Sequence, residues 1–470
     1  MIESLWIAFS AAALVAVGVW FRKEQKTKED FFLGGGCLPA WAVCVSFVAA
    51  EISVLTVIGV PAVAYNENWH YLQFYIGSVL ARIAIAFLLL PAVLKSNSTT
   101  IYDFLRRRLG PGASYLSASF FLVMKLLASG VRLMAAAAAI SILLDWPFGP
   151  TILFVAAVGA VAVGLGGLRA VVWGGVLQAG VLFVAGFAVV DFLLVSIDGG
   201  LTEAFHVAGS AGRLDLWVPG ALWIAVLHGF FGSVAVYGTD HDMMQRLMSV
   251  RTVRSGQRAL LWTILGSLVL LVILLTVGTG LFAFYEQHPE MALPADLDSI
   301  LTHFSIQIMP SWLRGLLAAA VFMAAADLPL ASMSAVFVED FYRPLIRPAA
   351  PNRHYVRVGR AAVVVAAILL GLSAWLLGSH PGTLWFAFKI GGVVFGPLLG
   401  LFLHSLSTRR GKHPAAAWAA AIAAVGCLYL LWKTEQGVIQ LDWSWLVLFG
   451  AFGSLGLANL IERGFPKEEA

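Results

Sequence analysis

Charge is scarce in this sequence: Asp, Glu, Lys and Arg make up 12% of the 470 residues, against 60% hydrophobic residues and a mean hydropathy of +0.87. Such a balance excludes both an ordinary soluble enzyme and a disordered chain. Cysteine is scarce too, and Cys37, Cys44 and Cys427 show neither CxxC nor metal-ligand spacing, so no disulfide framework, metal site or zinc site is expected. There is no Walker motif to take energy from ATP, and no HExxH, GxSxG or facing Asp pair to support an intramembrane enzyme. No loop is long enough for a soluble domain, and the first apolar run lacks the basic leader and small-residue cleavage site of a signal peptide. A single integral membrane domain over residues 1–470, with no enzymatic activity and no cofactor, is expected.

What is abundant is apolar sequence in spanning lengths. Runs of roughly 17 to 25 apolar residues place thirteen transmembrane helices near 5–21, 39–64, 72–94, 113–141, 150–167, 169–195, 217–237, 258–285, 311–338, 354–378, 384–406, 414–434 and 442–461. Basic residues test the assignment, because cytoplasmic loops hold their excess; about 23 of the 30 fall on one side of the predicted spans and about three on the other. The alternation predicts a multi-pass protein of the cell membrane with its N-terminus outside and its C-terminus in the cytoplasm. It also accounts for the net charge of +4 without nucleic-acid binding.

A few ionisable groups lie inside the spans. Glu51 sits in a Gly/Pro-interrupted run, and Asp327 stands two residues before Pro329. An ionisable group at membrane depth costs several kcal/mol unless it is paired or faces a wet cavity, and marks a solute or ion pathway by default.

Local motifs then bring a resemblance. Asp30-Phe31-Phe32-Leu33-Gly34-Gly35-Gly36, followed by Leu38-Pro39-Ala40-Trp41 and Ala49-Ala50-Glu51-Ile52-Ser53, resembles the start of the first core helix in the sodium/solute symporter family. Tyr102 to Gly110, Gly166 to Val171, Gly238-Thr239-Asp240 with Gln245-Arg246, Phe337 to Tyr342 and Gly396 to Gly400 are similar to that family's later segments, in order. The resemblance implies an all-α leucine-transporter fold: an extra N-terminal helix (5–21), inverted repeats over 39–195 and 217–406, and two trailing helices (414–461). The solute is expected at mid-membrane, beside the broken first helix of each repeat. Gly59-Val60-Pro61 and Gly229-Phe230-Phe231-Gly232 are read either as those breaks or as packing features.

The chain departs from the family at its cation positions. The resemblance assigns a sodium ion to carbonyls at Ala49 and Ile52 and to two helix 8 hydroxyls, but the latter positions hold Ala324 and Ala325, whose methyl groups cannot ligate a hard cation. Gly175 stands where members with a second sodium carry an Asp. Asp327 lies on the face of Ala324 by the three-residue offset, and Pro329 leaves the Ala325 carbonyl without its helical bond. Asp327 is therefore read three ways: a relocated cation ligand, a proton carrier, or the partner of a buried base such as Lys389 or Lys125.

Glu51 falls where relatives offer a polar side chain to the solute, or else it pairs with Arg132. Ser53 and Thr56 would offer hydroxyls to the solute or cap a helix end. Arg132 matches a helix 3 arginine that binds the substrate carboxylate in sialic-acid-transporting members, a role its planar guanidinium suits. Lys389 is read as a replacement for a missing ion's charge or as a structural ion pair. Gln73, Phe74, Tyr75, Ser233 and Tyr237 complete the expected lining. Arg82 and Asp191 are read as structural, His228 as a helix contact, and Asp240-His241-Asp242 as lying beyond the pocket.

The expected function is secondary transport of a small polar organic solute (carboxylate, zwitterion or sugar) by alternating access. H+ or Na+ is the expected coupling ion; loss of the sodium ligands favours proton-coupled or uncoupled flux. A sodium symporter with a relocated site and a transporter-like solute sensor are the alternatives.

Overall fold

The computed structural model describes residues 2–216, 222–378, 383–408 and 414–463, and helix is the regular structure throughout them. Chain that crosses a bilayer must satisfy its backbone hydrogen bonds internally, which a helix does within one segment. In chain order the first part comprises α1 (Ile2–Phe21), α2 (Lys28–Leu33), α3 (Ala40–Glu51), α4 (Val54–Asn66), α5 (Tyr71–Ala84), α6 (Leu90–Lys95), α7 (Ile101–Leu109), α8 (Pro111–Leu144), α9 (Phe148–Ser196) and α10 (Gly200–Ser210). The second comprises α11 (Leu222–Thr239), α12 (His241–Met248), α13 (Val253–Gln287), α14 (Ile300–Gln307), α15 (Ser311–Ala326), α16 (Leu330–Val336), α17 (Arg343–Leu345), α18 (Asn352–Leu377), α19 (Thr383–Ser407), α20 (Ala415–Glu435) and α21 (Trp443–Arg463).

Eleven helical stretches among the described residues are long and apolar enough to cross a membrane. Two local features separate these from the thirteen predicted spans. The 39–64 span is two short helices, α3 and α4, that part at Ile52 and Ser53. The 150–167 and 169–195 spans join into α9, whose 49 residues would be about 74 Å long if straight, more than twice the thickness of a hydrocarbon core. The helix bends instead at Gly167, where φ is 57° and ψ is −149°, a conformation open to glycine and closed to most residues. Residues 217–221, at the start of another predicted span, lie outside the described residues.

The breaks do not fall at the sequence interruptions considered for them. Gly59-Val60-Pro61 stays helical within α4, and Gly229-Phe230-Phe231-Gly232 within α11. A second interruption lies instead at Asp327-Leu328-Pro329, between α15 and α16. Gly229 serves packing: a Cβ there would stand 2.1 Å from the Phe74 carbonyl oxygen, and one on Gly77 would stand 2.1 Å from that of Val226. The α5 and α11 backbones thus touch through paired glycines, as small residues allow in membrane helices.

Among the described spanning stretches the most enclosed contains α15, buried continuously from Gly315 to Ala326. Its alanines let α8 and α9 close around it. The 311–338 span is therefore the centre of the bundle, and its interruption lies in the interior.

Gly77→Ala and Gly229→Ala are expected to push α5 and α11 apart, costing about 1–3 kcal/mol and lowering the unfolding temperature in detergent. Gly59→Ala, where a Cβ meets open space, is expected to leave that temperature unchanged or raise it.

Candidate functional site

Two polar clusters flank the break between α3 and α4. The first is centred on Glu51, the last residue of α3. Its carboxylate accepts hydrogen bonds from Arg82 of α5, from the Tyr237 hydroxyl of α11 at 2.6 Å and from the Ser267 hydroxyl of α13 at 2.6 Å. Arg82 has no exposed surface, and its other nitrogens donate to Ser78 at 2.5 Å and Thr263 at 3.2 Å. The rings of Tyr75 and Tyr237 cover its guanidinium at 5.5 and 4.7 Å. Ser233 donates to Ser78 at 2.8 Å.

Glu51 therefore pairs with Arg82, not with Arg132. Glu51, Ser233 and Tyr237 are brought together, but their hydrogen-bonding groups face one another and Arg82. Sequence reasoning had set Arg82 aside as structural without naming its partner. Ser78 with Arg82 and Thr263 with Ser267 each make a four-residue polar offset on one face of an apolar helix, a signal that could have found the cluster.

The second cluster surrounds α12, all of whose residues are buried. Lys125 of α8 meets Asp240 at 2.6 Å and Asp242 at 3.6 Å. Asp242 also accepts from Ser332 at 3.0 Å. Arg246 donates to both oxygens of Asp327, at 2.9 and 3.0 Å, and to the Ser46 hydroxyl at 2.6 Å. The partner of Asp327 is thus Arg246 and neither Lys125 nor Lys389. His241 lies between the Tyr102 and Phe121 rings, and burial pushes its imidazole down to about 3, so it is neutral near pH 7.

The expected cation positions are closely packed. A Cβ on Gly175 would lie 2.4 Å from the Ser46 hydroxyl, so α3 and α9 meet where an Asp would need room. The Ala49 carbonyl accepts the Gln178 carboxamide at 3.0 Å. Ile52, Ala324 and Ala325 are buried. Lys389 lies elsewhere, bonded at 2.5 Å to Glu435 at the end of α20. His228 contacts Ser444 of α21 at 2.9 Å.

Four of the expected solute ligands remain. Ser53 occupies the N-cap position of α4 without making the cap bond, and its hydroxyl stands 3.4 Å from that of Thr56. Gln73 is buried and donates to the Leu216 carbonyl at 2.5 Å. Arg132 of α8 is half-buried, with one long contact of 3.5 Å to the Ala50 carbonyl at the end of α3. Whereas Arg82, Lys125 and Lys389 each meet a carboxylate, Arg132 has none within ion-pair distance among the described residues.

Comparison with known proteins gives a consistent picture. A family model described as the sodium:solute symporter family matches residues 31–423. A sodium/sialic acid symporter of Proteus mirabilis is 28% identical over 442 residues, covering 89% of this chain and 87% of the relative. One from Aliivibrio fischeri is 27% identical, covering 86% and 82%. The human sodium-coupled monocarboxylate transporter 1 is 26% identical, covering 84% and 68%. In structure, the chain resembles a Na+-coupled sialic acid symporter in a substrate-bound outward-open state, with a TM-score of 0.90 at 23% identity over 100% of this chain and 99% of the other. That similarity shows the leucine-transporter fold expected from the motifs.

Arg82→Met is expected to leave the Glu51 carboxylate without its charged partner and to destabilise the protein by about 3–5 kcal/mol. The Glu51→Gln/Arg82→Met pair should recover more than half of that loss. Thermal unfolding of the four forms in detergent completes the cycle.

Proposed function

The chain belongs to the sodium:solute symporter family, and on that premise we propose that it is a secondary transporter that moves a small organic acid across the cell membrane by alternating access, with Arg132 as the carboxylate anchor. The observation that carries this reading is the contrast between Arg132 and Glu51. Arg132 stands beside the α3–α4 break with no carboxylate at ion-pair distance among the described residues, while Glu51 is saturated by Arg82, Tyr237 and Ser267. A guanidinium with no carboxylate at ion-pair distance, beside a saturated carboxylate, favours an acid over a zwitterion or an amine. The relatives named for sialic acid and for monocarboxylates are similar over most of this chain, which fits the same chemical class.

Ser53 and Thr56 would take hydroxyls or the far end of the solute, since both are half-buried at the same break. The rest of the architecture follows the family: repeats over 39–195 and 217–406 that exchange access around this point, and an N-terminus outside, as the basic-residue asymmetry requires. Coupling departs from the family. With alanine at 324 and 325 and glycine at 175, the side-chain oxygens for sodium are absent, and flux is proton-linked or uncoupled.

Uptake of labelled sialic acid and of lactate into proteoliposomes tests the reading. Saturable uptake of at least one acid is expected, changing less than twofold when choline replaces sodium. Arg132→Lys, which keeps the charge and loses the planar fork, is expected to raise KM about ten- to a hundred-fold, the equivalent of a charged hydrogen bond worth about 1.5–3 kcal/mol. Uptake of both acids with an unaltered KM in that variant would remove Arg132 from the site.

A further inference from the structure

We propose that the loop between α17 and α18, with the first turns of α18, binds the phosphate headgroup of an anionic phospholipid. The inference is independent of which solute the protein moves. It stands on the charge of this segment, the shape it holds and the apolar surface that adjoins it.

Residues 346–360 hold four arginines and no acid. Three of them, Arg347, Arg353 and Arg357, line a cleft of about 620 Å³ together with His354. Local bonds hold its shape. Pro348 and Pro351 restrict the backbone, the buried Tyr355 hydroxyl accepts the Ala350 N–H at 3.1 Å and donates to the Arg347 carbonyl at 2.5 Å, and the Tyr342 hydroxyl meets His354 Nε2 at 2.8 Å. No nearby acid offsets the charge. Arg343, just before the loop, is 2.9 Å from Glu339, and Lys28 meets the same carboxylate at 3.0 Å. Asp103 is held by Arg107 at 2.9 Å. Arg347, Arg353, Arg357 and Arg360 meet no carboxylate at ion-pair distance among the described residues, and the Arg360 Nε is buried without a hydrogen-bond partner there. Guanidiniums that no carboxylate engages suit a phosphate, which takes their N–H groups in pairs.

The adjoining surface selects a lipid over a soluble phosphate. Ile346, which lines the cleft, and Leu345 before it are exposed. Along α18, Arg353, Arg357, Arg360, Val364 and Ile368 recur at three- and four-residue steps and so share one face. No charged residue follows Arg360 in α18, and Val364, Ile368 and Trp375 are exposed. This face passes from arginine to bare apolar surface within a few turns, in the order of headgroup and acyl chain through a leaflet. By the basic-residue asymmetry the leaflet is the cytoplasmic one, whose anionic lipids attract such clusters.

Thermal unfolding of the full chain in neutral detergent, titrated with phosphatidylglycerol or phosphatidylcholine, tests the proposal. Saturable stabilisation by phosphatidylglycerol alone is expected. Arg353→Gln/Arg357→Gln, at exposed positions, is expected to unfold like wild type without lipid and to need on the order of tenfold more phosphatidylglycerol for half-maximal stabilisation. Arg353→Gln alone serves if the double variant does not fold. Arg251→Gln/Arg254→Gln removes the same charge from other exposed positions on that side and is expected to leave the half-maximal concentration in place. The proposal is overturned if phosphatidylglycerol does not stabilise wild type or phosphatidylcholine does so equally, or if the Arg353 and Arg357 changes leave the titration unaltered. An equal shift in both double variants would mean diffuse attraction and overturn it too. Equal stabilisation by inorganic phosphate would assign the cleft to a soluble anion and remove the lipid as its occupant.

Discussion

A charge removed from water and placed among apolar helices must find an opposite charge or a full set of hydrogen bonds, and this constraint organises the protein's interior. With so few charged residues in the sequence, each buried one defines a junction. Glu51 with Arg82 joins α3 to α5, and Tyr237 and Ser267 extend the contact to α11 and α13. Asp327 with Arg246 joins the α15–α16 break to α12, and Lys125 brings α8 to the same point. Removing one partner leaves a stranded charge, which is why these contacts determine the arrangement of helices more firmly than the apolar surface between them.

Small residues make the pairing geometry reachable. Lipid chains are as apolar as leucine, so helices associate by close packing instead of by exclusion from water. Gly77 against Gly229 brings backbones together, and Gly175 lets α9 rest on Ser46. The absence of a side chain is itself structural here: the glycine that looks like a lost ligand is also the one that lets the guanidinium of Arg246 and the hydroxyl of Ser46 share a tight site.

The two clusters divide the work around the α3–α4 break. On one side Glu51 is saturated and shapes the scaffold. On the other, Arg246 ties Asp327 to Ser46. Between them Arg132 meets no carboxylate at ion-pair distance among the described residues, and Ser53 and Thr56 keep hydroxyls at a helix end that no side chain caps. This member of a family of symporters thus keeps the leucine-transporter fold, with a helix broken between α3 and α4.

Much of this was legible in the sequence because its cause is local. Apolar run length and basic-residue alternation predicted a polytopic helical membrane protein, and ordered short motifs predicted its fold. Alanine at 324 and 325 and glycine at 175 are plain in the sequence, and their reading as replaced sodium ligands rests on the family resemblance. Charge partners were another matter: Glu51 is 31 residues from Arg82, and Asp327 is 81 from Arg246. Nothing in linear order selects those bases over Arg132, Lys125 or Lys389, because pairing depends on which helix faces meet. The sequence left two readings open for its glycine and proline interruptions, breaks or packing features, for a related reason. Glycine and proline mark where a helix is permitted to open, whereas Gly229 and Pro61 lie in helices that neighbouring backbones hold closed. The sequence by itself determined the lipid-spanning helices and their chemistry; only the tertiary structure decided which charge answers which, since in a low-dielectric interior that choice is made by proximity in space.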